Sequence, residues 1–321
     1  MDEFELIRRY FSKLTPPDRN LRLGIGDDCA LVEAPAGQEL AITTDTFVAG
    51  RHFPERTAPA DIGWKALAVN LSDLAAMGAE PRWFTLALTL PSADAEWLRG
   101  FAGGLGELAA LHRVTLIGGD TTRGRLSITI TAMGVVPKGQ ALRRSGARPG
   151  DAVCVTGTLG DAALGLKRWR RLGGKVSLPE DAWLIGRLAR PTPRVAAGLA
   201  LRGLARAAID ISDGLIGDLG HIAQASGVGA ILRSAELPAS PAFDRSARVP
   251  QRLALQAAAG DDYELCVCLA PAKIREARQR LAQHGLALSH IGEITAGKGV
   301  RIVDAQGAVV ALDTRAYRHF E

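Results

Sequence analysis

Ala152-Val153-Cys154-Val155-Thr156 is an unbroken apolar run of strand length, turned by Gly157-Thr158-Leu159-Gly160 into the helix-like stretch Asp161 to Leu172. A strand apolar on both faces, met at once by a glycine turn and a helix, belongs to a sheet layered against helices. The alternation continues outward in both directions. Toward the N-terminus, Leu40 to Thr44 reads as a strand, Pro59 to Met77 as a long helix closed by Gly78, and Trp83 to Leu90 as a strand. A helix from Asp94 to His112 and strands at Val114 to Ile117 and Leu126 to Val136 complete that half. Toward the C-terminus come a helix over Ala182 to Leu188, a strand Ala207-Ala208-Ile209 leading into a helix from Asp213 to Ala225, a strand from Tyr263 to Leu269 and a helix from Pro271 to His284, then shorter strands to Leu312. The pattern is that of an α/β or α+β protein. Pro137-Lys138-Gly139 and Arg148-Pro149-Gly150-Asp151 bracket a loop, which divides the 321 residues into domains 1–138 and 150–321.

Apolar residues at 47% and charged residues at 23% predict a folded globular chain. The opening Met1-Asp2-Glu3-Phe4-Glu5-Leu6-Ile7-Arg8-Arg9-Tyr10 reads as an amphipathic helix rather than a signal peptide, and no apolar run approaches the roughly 20 residues of a membrane span. A cytoplasmic protein with no membrane partner is expected. Cys29, Cys154, Cys266 and Cys268 match no zinc spacing and read as buried, reduced thiols. The net charge of +5 is scattered, and its one dense run, Lys167-Arg168-Trp169-Arg170-Arg171, reads as the solvated end of a helix stopped by Gly173-Gly174. No nucleic-acid partner is expected; an acidic small-molecule substrate suits the mildly basic balance.

The chemistry lies in aspartates that close apolar runs beside glycine or another aspartate. They are Asp27 and Asp28, Asp45 after Ile42-Thr43-Thr44, Asp120 after Gly118-Gly119, Asp210 and Asp213 in Asp210-Ile211-Ser212-Asp213-Gly214, and Asp261 and Asp262. One such aspartate is ordinarily a turn residue or helix cap. Five segments of this kind in one chain point instead to a cleft where carboxylates converge on cations. Oxygen donors without histidine or cysteine favour magnesium with substrate phosphates. Asp73 is the only formally charged residue between Lys65 and Glu80, in a helix apolar enough to be buried on most faces, where a carboxylate needs a partner. Gly118-Gly119-Asp120-Thr121-Thr122 and Thr156-Gly157-Thr158-Leu159-Gly160-Asp161 have the glycines and hydroxyls of phosphate-cradling loops. Gly292-Glu293-Ile294-Thr295-Ala296-Gly297-Lys298 imitates a Walker A start, but Gly299 replaces the required Ser or Thr; it reads as a hairpin turn. No histidine or serine has the surroundings of an activated nucleophile, so no covalent catalytic residue is expected.

Together these segments resemble the thiamine-monophosphate kinases, from Gly24-Ile25-Gly26-Asp27-Asp28 to Tyr317-Arg318-His319-Phe320. That family shares a superfamily with aminoimidazole ribonucleotide synthetase, selenophosphate synthetase and the hydrogenase maturation factor HypE. The more selective matches are Thr43-Thr44-Asp45 with His52-Phe53, Ala68-Val69-Asn70-Leu71-Ser72-Asp73-Leu74-Ala75-Ala76-Met77-Gly78, Asp210-Ile211-Ser212-Asp213-Gly214-Leu215 and the Tyr-x-His-Phe ending. The resemblance implies a two-domain aminoimidazole ribonucleotide synthetase-like fold. Its N-terminal domain would dimerise through a β-barrel-like core and bind metal and ATP, with an α/β C-terminal domain outside. It implies direct in-line transfer from ATP to thiamine monophosphate, giving thiamine diphosphate, with several magnesium ions. By the same resemblance Asp28, Thr43, Thr44, Asp45, Asp73, Asp120, Asp210 and Asp213 are metal ligands. Gly119, Asp120, Arg144 and Ser212 are implied to contact the nucleotide, and His52, Asp261 and Tyr317 the acceptor. Two departures stand out. Ala259-Gly260-Asp261-Asp262 replaces the family's Gly-Gly-Glu-Asp, and Ala102 follows Phe101 where an aromatic residue often stacks on adenine. The alternatives are another ATP-using enzyme of the superfamily, HypE-like or selenophosphate synthetase-like, and a non-catalytic nucleotide-binding scaffold.

Overall fold

The computed structural model describes residues 2–312, and its chain divides into two units, 1–74 with 79–139, and 75–78 with 140–321. Tyr317 and the Tyr-x-His-Phe ending lie outside the described residues. The first unit runs α1 (Glu3–Tyr10), β1 (Leu21–Leu23), β2 (Leu31–Val32), β3 (Gln38–Val48), α2 (Pro59–Ala76), β4 (Glu80–Leu90), α3 (Ala95–His112), β5 (Thr115–Arg123) and β6 (Ser127–Pro137). Its main sheet has the order β3-β6-β4-β5, with β4 and β5 parallel and the other neighbours antiparallel.

The second unit runs β7 (Ala152–Thr156), α4 (Asp161–Leu172), α5 (Pro179–Ala189), α6 (Val195–Leu201), β8 (Ala205–Asp210), α7 (Leu215–Ser226), β9 (Gly229–Arg233), α8 (Pro241–Ser246), α9 (Val249–Ala257), β10 (Leu265–Leu269), α10 (Ile274–Ala282), β11 (Leu288–Thr295) and β12 (Gly299–Val303). Its six strands have the order β12-β9-β11-β7-β10-β8. Every residue of β7 and β10 is buried, which is why both read as continuous apolar runs. Cys154, Cys266 and Cys268 belong to this core, and burial pushes their thiols up, Cys154 to about 12. Cys29 departs from expectation: it is exposed in the turn after Asp28.

Three other expectations need correction. The connection around Gly297 is not a hairpin, because β9 lies between β11 and β12 and pairs with both. Asp45 and Asp120 do not end their strands but sit inside β3 and β5, the two edge strands of their sheet. An edge strand with one open face accommodates Thr, Asp and Gly, so its apolar run stops short of its hydrogen bonding. The Gly118–Thr122 stretch is accordingly strand, not loop. Gly119, at φ +149, is needed there, since a Cβ would stand 1.9 Å from the Leu86 carbonyl oxygen.

Helices α2 and α3 cross on glycines. A Cβ on Gly63 would lie 2.1 Å from the Phe101 carbonyl oxygen, and one on Gly104 only 1.8 Å from that of Ala60. Neighbouring Gly103 is exposed with nothing within 4 Å of its would-be Cβ. Gly104→Ala is therefore expected to separate the helices and destabilise the fold by about 1–3 kcal/mol or more. Gly103→Ala should stabilise it by roughly 0.5–1 kcal/mol through helix propensity. Urea melts of the two variants check this; equal midpoints would show that the crossing is loosely packed.

Candidate active site

The acidic residues fall into separate groups. In the first unit, Thr43 and Asp45 alternate onto one face of β3, and α2 brings Asp73 to it: the Thr43 hydroxyl donates to Asp73 Oδ2. The helix is as buried as its sequence predicts, with Leu67, Ala68, Leu71 and Ala75 at 0% exposure and Asp73 half-buried. Burial first, and the Asp73 charge second, push the Asp45 carboxyl up to about 6. A carboxyl raised by burial and by a second acid is one whose ionised form a bound cation would favour.

Thr44 points the other way. Strand alternation puts its side chain on the opposite face, where its hydroxyl pairs with that of Thr131 at 2.9 Å, so its backbone carbonyl is the group it can offer a metal. Asp120 and Gly119 lie on β5, at the far edge. The register runs Asp45, Ile130, Leu86, Gly119 straight across the sheet, three strand spacings or about 14 Å. Asp28 is exposed in its turn, its N–H bonded to Asp27 Oδ1 at 2.9 Å.

His52 stands in the turn after β3. Its Nδ1 accepts from the Val48 N–H at 3.0 Å and its ring stacks on Phe47 at 5.4 Å. An accepting Nδ1 puts the proton of the neutral ring on Nε2. Ala102 is buried in α3 and has no ring, so it offers no platform for a base.

In the second unit, Asp210 ends β8, and Ile211 to Gly214 lead into α7, which begins at Leu215 rather than Asp213. This loop is stitched to the segment before β10: Ile211 N donates to the Glu264 carbonyl at 2.8 Å, Tyr263 N to that of Ile211 at 2.9 Å, and Asp261 N to that of Ser212 at 2.9 Å. Asp210, Ser212, Asp213 and Asp261 are thereby brought together. Asp261 adopts φ +70 and accepts the Tyr263 hydroxyl at 3.1 Å. Arg144 is exposed, its carbonyl bonded to the Ser226 hydroxyl at the opposite end of α7 from Ser212. Its guanidinium must reach along the helix to share a ligand with Ser212.

The Thr156–Asp161 loop is not a phosphate cradle. Gly157 N donates to the Ala287 carbonyl, Leu159 N to that of Pro238, and Gly160 N to the Asp262 carboxylate at 3.0 and 2.9 Å. The Thr156 hydroxyl goes to Glu264 and that of Thr158 to Asp161. Asp262, fully buried, has its carboxyl pushed well up by that burial and is structural. Sequence reasoning missed Asp218, whose carboxylate accepts the N–H groups of Ser212, Asp213 and Gly214. Burial, then the Asp213 charge, push it up to about 7. The available signal was its isolation in an otherwise apolar helix start, Leu215-Ile216-Gly217-Asp218-Leu219.

Among the described residues, no three His, Cys, Asp or Glu side chains gather closely enough to hold a metal ion unaided. The Asp45–Asp73–Thr43 set is all oxygen, which fits a hard divalent cation that takes its remaining ligands from water and phosphate.

Residues 26–136 match the family model of the AIR synthase related protein N-terminal domain, and residues 148–305 that of its C-terminal domain. Thiamine-monophosphate kinase of Escherichia coli K12 is 48% identical over 318 residues, covering 99% of this chain and 98% of the relative. The crystal structure of thiamine-monophosphate kinase from Stenotrophomonas maltophilia K279a superposes with a TM-score of 0.88 at 45% identity, covering 99% of this chain and 98% of that one. The complex of AaThiL with AMPPCP and TMP superposes with a TM-score of 0.78 at 31% identity and 92% coverage of both chains. The chain belongs to the thiamine-monophosphate kinase family of AIR synthase related proteins.

Proposed function

We propose that this protein transfers the γ-phosphoryl group of ATP to thiamine monophosphate, yielding ADP and thiamine diphosphate. Full-length membership of the kinase family carries the reading, and the desolvated Asp45–Asp73 pair supplies its chemistry. Magnesium, when bound, supplies charge neutralisation and alignment of the phosphates, which is most of what phosphoryl transfer requires. Asp28, Thr43, the Thr44 carbonyl, Asp45, Asp73, Asp120, Asp210 and Asp213 are the proposed metal ligands. Gly119, Asp120, Ser212 and Arg144 hold the nucleotide. His52, directed by Val48 and Phe47, offers its Nε2–H to the acceptor, with Asp261 and Tyr317 as the other acceptor contacts. The acceptor phosphate is itself the nucleophile, so the transfer is direct and in line, and the chain's work is positioning. The reaction is assigned to the cytoplasm.

The protein is proposed to act as a homodimer, the two four-stranded sheets closing on each other into a barrel-like core. The solvent side of β3 supports this: Ile42 is 63% exposed and Leu40 and Val48 are each 43% exposed, with Thr44 and Thr46 between them, a partly apolar face that a second copy would cover. Sedimentation should give a dimer at micromolar concentration and a shift toward monomer for Ile42→Lys; a wild-type monomer rejects the arrangement.

Phosphorus NMR of the protein with ATP, magnesium and thiamine monophosphate should show ADP and thiamine diphosphate appearing together. Turnover only on a different phosphorylated acceptor would remove thiamine monophosphate and leave ATP-dependent transfer standing. Asp73→Asn should lower turnover at saturating magnesium by about 10² or more, yet leave the protein folded. Because the Asp45 carboxyl is raised in the fold, its ionisation costs stability as pH rises from near its ordinary value of 3.8 to about 6. Metal-free wild type should therefore lose melting temperature across that window, and the variant, lacking the like charge, should lose less. Near-normal turnover of the variant would return Asp73 to the role of a solvated helix residue.

A further inference from the structure

The loop from Asp210 to Gly214 is fixed along both of its hydrogen-bonding edges. The carbonyls of Ile211 and Ser212 are taken by the segment before β10, as described, and the fit is close: a Cβ on Gly260 would lie 1.9 Å from the Ser212 carbonyl oxygen. The N–H groups of Ser212, Asp213 and Gly214 are taken by one atom. Asp218 Oδ2 accepts from Ser212 N at 3.0 Å, Asp213 N at 3.1 Å and Gly214 N at 3.1 Å. Asp218 is itself held, at 3% exposure, in the first turns of α7, where its own N–H bonds the Gly214 carbonyl at 3.0 Å. Three consecutive N–H groups aimed at one oxygen form a concave nest that fixes the intervening backbone dihedrals. The nest is filled from within, so an incoming phosphate finds the side chains of this loop rather than the helix N-terminus.

We propose that Asp218 is a positioning residue: by gathering these three N–H groups on one buried oxygen, it sets the direction in which Asp210, Ser212 and Asp213 meet the metal-bound nucleotide. This rests on the proposed role of those three residues. Asp218 touches no reacting group, and its effect runs entirely through the loop backbone. Oxygen position is what matters to such a role, and charge is secondary. Asparagine keeps an acceptor oxygen in place and removes the charge; glutamate keeps the charge and moves the oxygen by one methylene.

The test compares Asp218→Asn, Asp218→Glu and Asp218→Ala in the full-length protein, with thermal melts to establish folding. Two quantities are read: the magnesium concentration for half-maximal turnover, and acceptor-free binding of manganese with a non-hydrolysable ATP analogue, followed by electron paramagnetic resonance. The glutamate and alanine variants should be weakened about 10-fold or more in both, as small misplacements of binding groups are, while the asparagine variant stays within about 3-fold of wild type. The alanine variant decides the matter if the glutamate variant does not melt cooperatively. A folded alanine or glutamate variant with wild-type metal–nucleotide binding overturns the proposal, as does glutamate outperforming asparagine, which would mean that Asp218 acts by charge. Because the binding arm uses no thiamine monophosphate, an error in the acceptor leaves the outcome for Asp218 readable.

Discussion

Glu264 has no exposure to solvent, and a charge so placed must be answered within the protein. Arg194 donates Nε to Oε2 at 2.6 Å, Arg187 donates Nη2 to Oε1 at 3.1 Å, and the Thr156 hydroxyl adds a third donor at 2.7 Å. Removing one partner of such a group typically costs about 3–5 kcal/mol, because the remaining charge is stranded. The cluster fixes more than its own members. Arg187 also donates to the Asp262 carbonyl at 3.0 Å, while the Asp262 carboxylate takes the Gly160 N–H. The backbone from Asp262 to Glu264 is thus anchored to α5, to the residues before α6 and to the end of β7. That anchoring maintains left-handed φ angles of +70 at Asp261 and +50 at Tyr263, conformations that cost side-chain-bearing residues about 1–3 kcal/mol each.

The same rule, that a carboxylate removed from water needs an answer, separates the acids into two kinds. Asp161, Asp218, Asp262 and Glu264 are answered by donors of the chain: a serine hydroxyl and an indole N–H for Asp161, backbone N–H groups for Asp218 and Asp262, guanidinium groups for Glu264. Asp73 takes the Thr43 hydroxyl, and its charge adds to burial in raising the Asp45 carboxyl. The first kind builds the fold; the second is the kind proposed to hold a cation. Sequence alone could not draw this line, since donors such as Ser240 for Asp161, Gly160 for Asp262 and Arg187 for Glu264 lie far away in the chain.

What was legible was periodic or local. The helix Asp161–Leu172 was readable to the residue because left-handed glycines, Gly160 and Gly173, flank it. The buried strands β7 and β10 announced themselves by composition. What was hidden depended on distant partners. Glu264 meets Arg187 and Arg194 across 77 and 70 residues, and β9 inserts between β11 and β12 through pairings that no turn motif encodes. The face assignments of Thr43 and Thr44 follow from strand alternation, but only once β3 is known to continue through both. The motif Thr43-Thr44-Asp45 concealed that one of its hydroxyls pairs with Thr131.

An aspartate at 261, where the resemblance implies a glutamate, takes its meaning from the same framework. Backbone bonds join residues 211–212 to residues 261–264, so the loop proposed to meet the nucleotide and the loop proposed to meet the acceptor are one rigid piece. A shorter side chain on a free loop would be compensated by movement of the backbone. Here Gly260 is pressed against Ser212 and Asp262 is locked to Gly160, so the backbone of Asp261 cannot advance without displacing Ser212 as well. The carboxylate is also directed, since the Tyr263 hydroxyl donates to it. For the proposed acceptor contact, a side chain shorter than glutamate by one methylene would leave a gap of about one carbon–carbon bond, to be filled by a water molecule or a shift of the acceptor. The nucleotide side stays where Asp218 and Gly260 hold it.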